Sequence, residues 1–272
     1  MAGDLTISTI NGGAIGAKNA LINGNFGINQ RAVSGTVTLS AGAYGHDRFK
    51  AGASGCTYTF ATSNNITTLT ITAGSLIQVI EGINLQSGTY TLSWTGTAQG
   101  KIGGGSYAGS GVTETVTGGT NLNIEFDTGT LSLVQLEAGS VATPFERRQY
   151  GQELALCQRY YYRNNVSQYA YVTPAQLHGA TQYRTNIPVP VPLRSLPSIS
   201  WSGLALWYGS SSLSAGFTAM DTGYQVNSPS TGNSNINVNM TPSSAVLGAL
   251  NIGMISGNSV GASQFIAFSS EL

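Results

Sequence analysis

Thr67-Thr-Leu-Thr-Ile-Thr72 alternates apolar and polar residues with a period of two, and that period decides the fold class. In a β-strand every second side chain shares a face, so Leu69 and Ile71 are expected to turn towards a core and the threonines towards water. Threonine suits the outer positions because its β-branched side chain packs on a pleated surface while its hydroxyl is hydrated. The same alternation recurs in Tyr90, Leu92 and Trp94, and again in Leu122, Ile124 and Phe126. Leu131-Ser-Leu-Val-Gln-Leu136 begins in this way and slips by one residue at Leu133-Val134, where a β-bulge is expected. Short strands separated by Gly, Ser and Asn turns thus predict a jelly-roll-like β-sandwich over residues 19–148.

One segment breaks the pattern. Gly151-Gln-Glu-Leu-Ala-Leu-Cys-Gln-Arg-Tyr160 places Leu154, Cys157 and Tyr161 on one helical face, and Arg159 and Arg163 near its end suit a helix C-terminus. A linking helix is therefore expected over 149–164. Beyond it the β-pattern returns and predicts a second β-sandwich domain over 165–272, with strands around Ser198–Leu206, Asn235–Met240, Leu250–Ile255 and Gln264–Ser269. Pro188, Pro190 and Pro192 alternate with Val189 and Val191, and proline cannot donate to a sheet ladder, so this stretch reads as an edge strand or extended connector. Residues 227–235 read as an exposed loop and residues 1–18 as an extended arm. The fold class expected is all-β: two jelly-roll-like β-sandwich domains joined by a short α-helix.

Charged residues form 8% of the chain, against roughly 25% in average soluble domains, and the formal net charge is zero. Disorder is not expected, because the chain is 41% hydrophobic and holds 13 Tyr. A surface built from Ser, Thr, Asn, Gln and Gly, with no net charge to oppose association, points to a subunit of an assembly. Nucleic acid is not an expected partner, since Arg147-Arg148 is the only adjacent basic pair. Membrane insertion is not expected either, because no run approaches the roughly 18 apolar residues of a span, and Met1-Ala-Gly-Asp-Leu-Thr6 lacks a secretory pattern. Cys56 and Cys157 have no Cys or His companions, so two buried thiols are expected rather than zinc or a disulfide.

Candidate chemistry is sparse. Glycoside hydrolysis needs two carboxyl groups roughly 5 to 10 Å apart, one with a raised pKa. Glu125 and Asp127 are expected on one strand face with Glu114 a candidate to lie across from them, and solvated or turn-capping carboxylates are the commoner outcome. His46 and His178 have no nucleophile in a recognisable setting, and His46-Asp47-Arg48 is expected to form a local hydrogen-bonded pair that closes the first domain. Gly103-Gly-Gly-Ser-Tyr-Ala108 fits a relaxed dinucleotide fingerprint without the helix that would receive a pyrophosphate, and reads as a loop. Calcium at Glu125 and Asp127 lacks EF-hand spacing. No catalytic residue, metal or cofactor is expected. Trp94 alternates with core positions and reads as structural. Trp201, Trp207 and Tyr208, near Gly- and Ser-rich turns, are the candidates for stacking on sugar rings. Tyr160, Tyr161 and Tyr162 cannot all face one way on a helix, so some are expected to meet the second domain or a neighbouring subunit.

Val134-Gln-Leu-Glu-Ala-Gly-Ser-Val-Ala-Thr-Pro-Phe-Glu-Arg-Arg-Gln-Tyr-Gly-Gln-Glu-Leu-Ala-Leu-Cys-Gln-Arg-Tyr-Tyr-Tyr-Arg163 resembles a segment of bacteriophage and prophage tail-fibre-like proteins. Shorter echoes are Leu21-Ile-Asn-Gly-Asn-Phe26 with Gln30-Arg31, His46-Asp-Arg-Phe49, Pro190-Val-Pro-Leu-Arg194 and Phe265-Ile-Ala-Phe-Ser-Ser-Glu-Leu272. The resemblance implies a first domain similar to the jelly roll of carbohydrate-binding modules. It also implies a virion protein, in the tail or associated with it, made in the cytoplasm of a bacterial host. A homotrimer that packs with other virion proteins and attaches to a host surface glycan or protein is the role it carries, with no enzymatic activity. The alternatives are a purely structural collar, baseplate or capsid-decoration subunit, and a polysaccharide depolymerase.

Overall fold

The structure is a computed structural model and describes residues 9–10, 13–14, 18–168, 170–178, 182–207, 214–222, 235–242, 252–257 and 264–272. The chain divides into two units, Met1–Cys157 and Gln158–Leu272. Both are built almost entirely of antiparallel strands, so the all-β class expected from the alternation holds.

In the first unit a two-residue pair, β1 (Thr9–Ile10) and β2 (Gly13–Ala14), precedes the main sheets. The rest of the arm expected over 1–18 lies outside the described residues, save Lys18. β3 (Val37–Leu39), β4 (Phe49–Ser63) and β5 (Ile66–Ile80) follow. The β4–β5 hairpin turns at Asn64-Asn65, whose φ values of 51° and 59° make the two-residue turn that matches strand twist. Next come β6 (Gly88–Thr95), β7 (Gly100–Ile102), β8 (Val112–Val116), β9 (Leu122–Phe126) and β10 (Gly129–Ala138). One layer runs β3-β4-β5-β9-β7; the other runs β10-β6-β8.

The two layers share β10. Its start, Gly129–Leu131, pairs with β5, and the remainder pairs with β6 after a register break between Ser132 and Gln135. Leu133 sits there at a φ of 51°. The bulge anticipated at Leu133-Val134 is thus the corner at which a strand leaves one sheet for the other. Leu69, Ile71, Leu76, Ile124 and Phe126 of the first layer meet Leu92, Trp94, Val116 and Leu136 of the second in one buried cluster. The Trp94 and Phe126 rings touch edge to face at 5.3 Å.

The helix α1 (Tyr150–Gln158) is shorter than the linking helix expected over 149–164. Its buried residues are Glu153 and Cys157, and Leu154 is only half-buried. Tyr161 to Asn165 instead form β11 (Tyr161–Asn165), which pairs with β19 (Phe265–Ser269) from Tyr161 opposite Ser269 to Asn165 opposite Phe265. Consecutive tyrosines fit a strand as well as a helix, and a waiting edge over 100 residues away in sequence tips the balance.

The second unit continues with β12 (Tyr171–His178), β13 (Gln182–Pro188), β14 (Ser198–Ser202), β15 (Leu204–Trp207), β16 (Ser214–Thr222), β17 (Asn235–Pro242) and β18 (Ile252–Gly257). Six of its strands close on themselves in the order β12-β13-β17-β16-β15-β18, and β11-β19-β14 form a three-stranded sheet. The single strand expected over Ser198–Leu206 is two: Gly203, at a φ of 62°, separates β14 in the small sheet from β15 in the barrel. β13 ends at Pro188, and the proline-rich stretch after it is a connector. Tyr183, Ile187, Ile236, Val238, Met240, Ile255, Ile266 and Phe268 form the core of this unit. The loop expected at 227–235 lies outside the described residues but for Asn235, which begins β17.

Candidate functional site

Strand register draws one line of side chains across the outer face of the first layer. Tyr44 bridges to Lys50, Lys50 is opposite Ile77, Ile77 opposite Glu125, and Glu125 opposite Lys101. Cross-strand partners project from the same face, and the residues flanking them, Phe49, Leu76, Ile124 and Phe126, project inwards to the core. The five strand positions span roughly 19 Å at the usual strand spacing. All five are half-buried.

An aromatic ring stands at each end of the line. Tyr107, on the loop after β7, lies under the Lys101 ammonium at 4.6 Å and is 37% exposed. The Tyr44 ring lies 5.1 Å from the Arg31 guanidinium and 6.0 Å from Lys50 Nζ. Between them Glu125 is held by three donors. Lys101 Nζ is 3.0 Å from Oε2, Ser75 Oγ donates to Oε1 at 2.5 Å, and the Tyr107 hydroxyl bonds the same carboxylate. Burial acts to raise the Glu125 pKa, but these hydrogen bonds and the charge of Lys101 outweigh it and hold the carboxyl below its usual range. Burial, reinforced by the Glu125 carboxylate, pushes the Tyr107 phenol up to about 12. A Cβ on Gly52 would stand 2.1 Å from Ser75 Oγ and 3.3 Å from Glu125 Oε1, so glycine there is what admits the pair. Partly exposed aromatic rings, a cation and a fixed carboxylate are the kinds of group that take up the C–H faces and hydroxyls of a sugar.

Asp127 follows Glu125 by two residues, and its charge adds to that of Glu125 in raising the Tyr107 phenol. Its Oδ1 accepts the Gln99 N–H at 2.7 Å, a turn-capping role. Glu114 is on β8, in the other layer, against the Gly103–Gly105 turn, where a Cβ on Gly105 would lie 2.8 Å from its carboxylate. Among the described residues no group of three or more His, Cys, Asp or Glu is suited to hold a metal ion.

His46 is 1% exposed, and burial brings its pKa down to about 4. Its Nδ1 lies 3.0 Å from the Tyr58 hydroxyl, which also accepts the His46 backbone N–H, and its ring meets Phe60 edge to face. The Asp47 carboxylate accepts from Gln30 N, Gln30 Nε2 and Arg31, and Arg48 donates to the Val79 carbonyl at 2.6 Å. The triplet therefore ties separate segments together rather than acting only as a local pair. His178 is on β12, and its side chain lies outside the described residues. The Gly103–Gly105 segment is the expected loop. Cys56 and Cys157 are both buried and form no disulfide, and burial raises the Cys56 thiol to about 11.

Segments far apart in sequence meet inside each unit. Asn23 Nδ2 donates to the carbonyls of Ile28 and Asp47, its Oδ1 accepts from Ile28 N, and its own N–H donates to Glu153. Arg148 donates to the carbonyls of Leu21 and Asn19 and to Glu153, while Asn19 Oδ1 accepts from Leu136 N. Gln135, Glu137 and Thr143 close the same net. In the second unit Arg194 donates to the carbonyls of Ser270 and Glu271, and Ser270 N–H donates to the Tyr160 carbonyl. These bonds satisfy buried backbone groups, so these residues serve the architecture.

Of the aromatic candidates, Trp201 is on β14, half-buried against the core of the second unit. Trp207 ends β15, on a different sheet, with its side chain outside the described residues, as is all of Tyr208. Tyr160 and Tyr161 are buried, with the Arg159 guanidinium 5.7 Å from the Tyr160 ring. Tyr162 stacks parallel on Phe268, and burial raises its phenol. Sequence reasoning missed Tyr44, Lys50, Ser75, Lys101 and Tyr107. The available signal was scarcity: the chain has three lysines, and two of them stand in this one line.

Compared with known proteins, the chain matches no protein-family model, no curated protein and no solved structure.

Proposed function

We propose that the chain is a bacteriophage virion protein, tail-fibre or tail-associated, that attaches the particle to a glycan on the host surface. The line from Tyr44 to Lys101, capped by Tyr107, carries this reading: it sets two partly exposed aromatic rings beside a fixed charged pair on one sheet. The virion assignment rests on the resemblance of Val134–Arg163 and its echoes to tail-fibre-like proteins, and on a charge-poor surface suited to packing against other virion proteins. Each line would bind weakly. A homotrimer would present three, and avidity would supply the retention that one site lacks. Its action is binding without catalysis: a glycosidic acid needs a raised pKa, and Glu125 has the opposite.

The test is binding of the purified chain to cells of the bacterium whose phage or prophage encodes it. Binding is expected, competed by extracted surface glycan and lost in the Tyr44→Ala, Tyr107→Ala double variant. Light scattering is expected to give three times the 28.1 kDa chain mass. A chain that does not bind cells, or whose binding ignores the double substitution, would refute attachment through this face. A structural collar, baseplate or capsid-decoration subunit would then be the better reading, favoured by the exposed Ile83, Val141 and Leu196.

A further inference from the structure

Beside the start of α1 the first unit has a recess of about 430 Å3 that shares no residue with the line of side chains on the sheet. Its walls are the Asn25–Ile28 segment, the tip of the β4–β5 hairpin and the segment from Phe145 to Glu153. That volume falls within the range of small-ligand sites.

Charge in a chain with 11 basic residues is seldom left idle, which makes the basic groups here informative. Arg148, with 7% of its side chain exposed, is 3.7 Å from Glu146 and 3.3 Å from Glu153, and these two carboxylates are further held by the backbone N–H groups of Asn19 and Asn23. Its Nε–H is buried and has no hydrogen-bond partner among the described residues. Arg147 lines the same recess, is exposed, and makes no ion pair or hydrogen bond among the described residues. Tyr150 adds an aromatic face that is 67% exposed. Asn25, Asn65 and Thr62 supply uncharged hydrogen-bonding groups, and the Thr62 hydroxyl is fixed by Thr67 at 2.9 Å.

We propose that this recess binds an acidic saccharide through a sugar ring that carries a single carboxylate. The planar fork of Arg147 matches a carboxylate with two parallel hydrogen bonds. Tyr150 covers the C–H face of the ring, and the amides and hydroxyl of the walls take its hydroxyls. A carboxylate fits better than a phosphate monoester, because Glu146 and Glu153 already stand in the recess and would repel a second negative charge. The site stands on its own residues and does not depend on the virion reading.

Calorimetric titration of the full chain with tetragalacturonate, its methyl ester and sialyllactose tests it. At least one of the two acids is expected to bind, more weakly as salt rises, and the uncharged ester is expected not to bind. Arg147→Ala and Tyr150→Ala, both at exposed positions and checked by unchanged melting temperature, are each expected to weaken binding at least about tenfold. Lys101→Ala, on the separate sheet face, is expected to leave it unchanged. The proposal is overturned if neither acid binds, if the ester binds as well as its acid, or if Arg147→Ala has no effect.

Discussion

The backbone N–H of Asn23 donates to the Glu153 carboxylate, joining the opening of the first unit to its helix across 130 residues. The same carboxylate faces Arg148 at 3.3 Å from both oxygens. Removing Glu153 strips the main counter-charge from a buried guanidinium and leaves a buried N–H unbonded at once. Glu153→Ala is expected to destabilise the first unit by roughly 3 kcal/mol, and Glu153→Gln by less because the amide oxygen still accepts from Asn23. Urea denaturation of the full chain measures both; equal losses would show that charge has no part in it.

Gly24 illustrates close approach rather than unusual dihedral angles. A Cβ there would sit 2.1 Å from the Val134 carbonyl oxygen, and Gly24 itself accepts the Val134 N–H at 2.7 Å. Val134 follows the corner residue of the bulge, so neither backbone has slack. Gly24→Ala is expected to cost about 2 kcal/mol or more, read as a lower melting temperature, where alanine in an open turn such as Gly104 would be nearly neutral.

The buried His46 sets a pH dependence. Its folded pKa of about 4 lies below its ordinary 6.5, so between those values the unfolded chain takes up a proton that the folded chain refuses. Its contribution to stability is therefore complete above pH 6.5 and falls as the pH drops through 6.5 towards 4, by a total on the order of 3 kcal/mol. His46→Asn keeps an acceptor for the Tyr58 hydroxyl and cannot titrate. Denaturation curves at steps from pH 7 to pH 4 are expected to show a shallower loss in that variant; an unchanged slope would assign the acid sensitivity to the carboxylates alone.

How far the sequence carries depends on the distance between partners. Leu69, Ile71, Leu92, Trp94, Ile124 and Phe126 announce their burial through a period of two, because the signal is local to each strand. The corner in β10 is equally legible, since the slip at Leu133-Val134 is written into the strand itself. The end of α1 is not: Tyr160, Tyr161 and Tyr162 read alike as helix or strand, and β19, over 100 residues later, decides between them. Nor is the line from Tyr44 to Lys101 legible. Its members are spread over residues 44 to 125, and only the register of three strand pairings and one isolated bridge brings them together. Trp201 drew notice by residue type, and the structure sets it half-buried against a core.

That line also permits a clean separation of binding from folding. Lys101 and Glu125 keep 25% and 18% of their side chains exposed, so water screens the pair and its worth to stability is small. Lys101→Met, which retains the aliphatic stem, is expected to change stability by less than about 1 kcal/mol. The same substitution removes the cation over Tyr107 and one of the three donors that hold the Glu125 carboxyl below its usual range. Adhesion to host cells or to immobilised glycan is therefore expected to fall several-fold in Lys101→Met while its melting curve overlays that of the unaltered chain. A fall in both together would mean that the outer face is scaffold, with the Lys101–Glu125 pair contributing to the sheet rather than to a ligand.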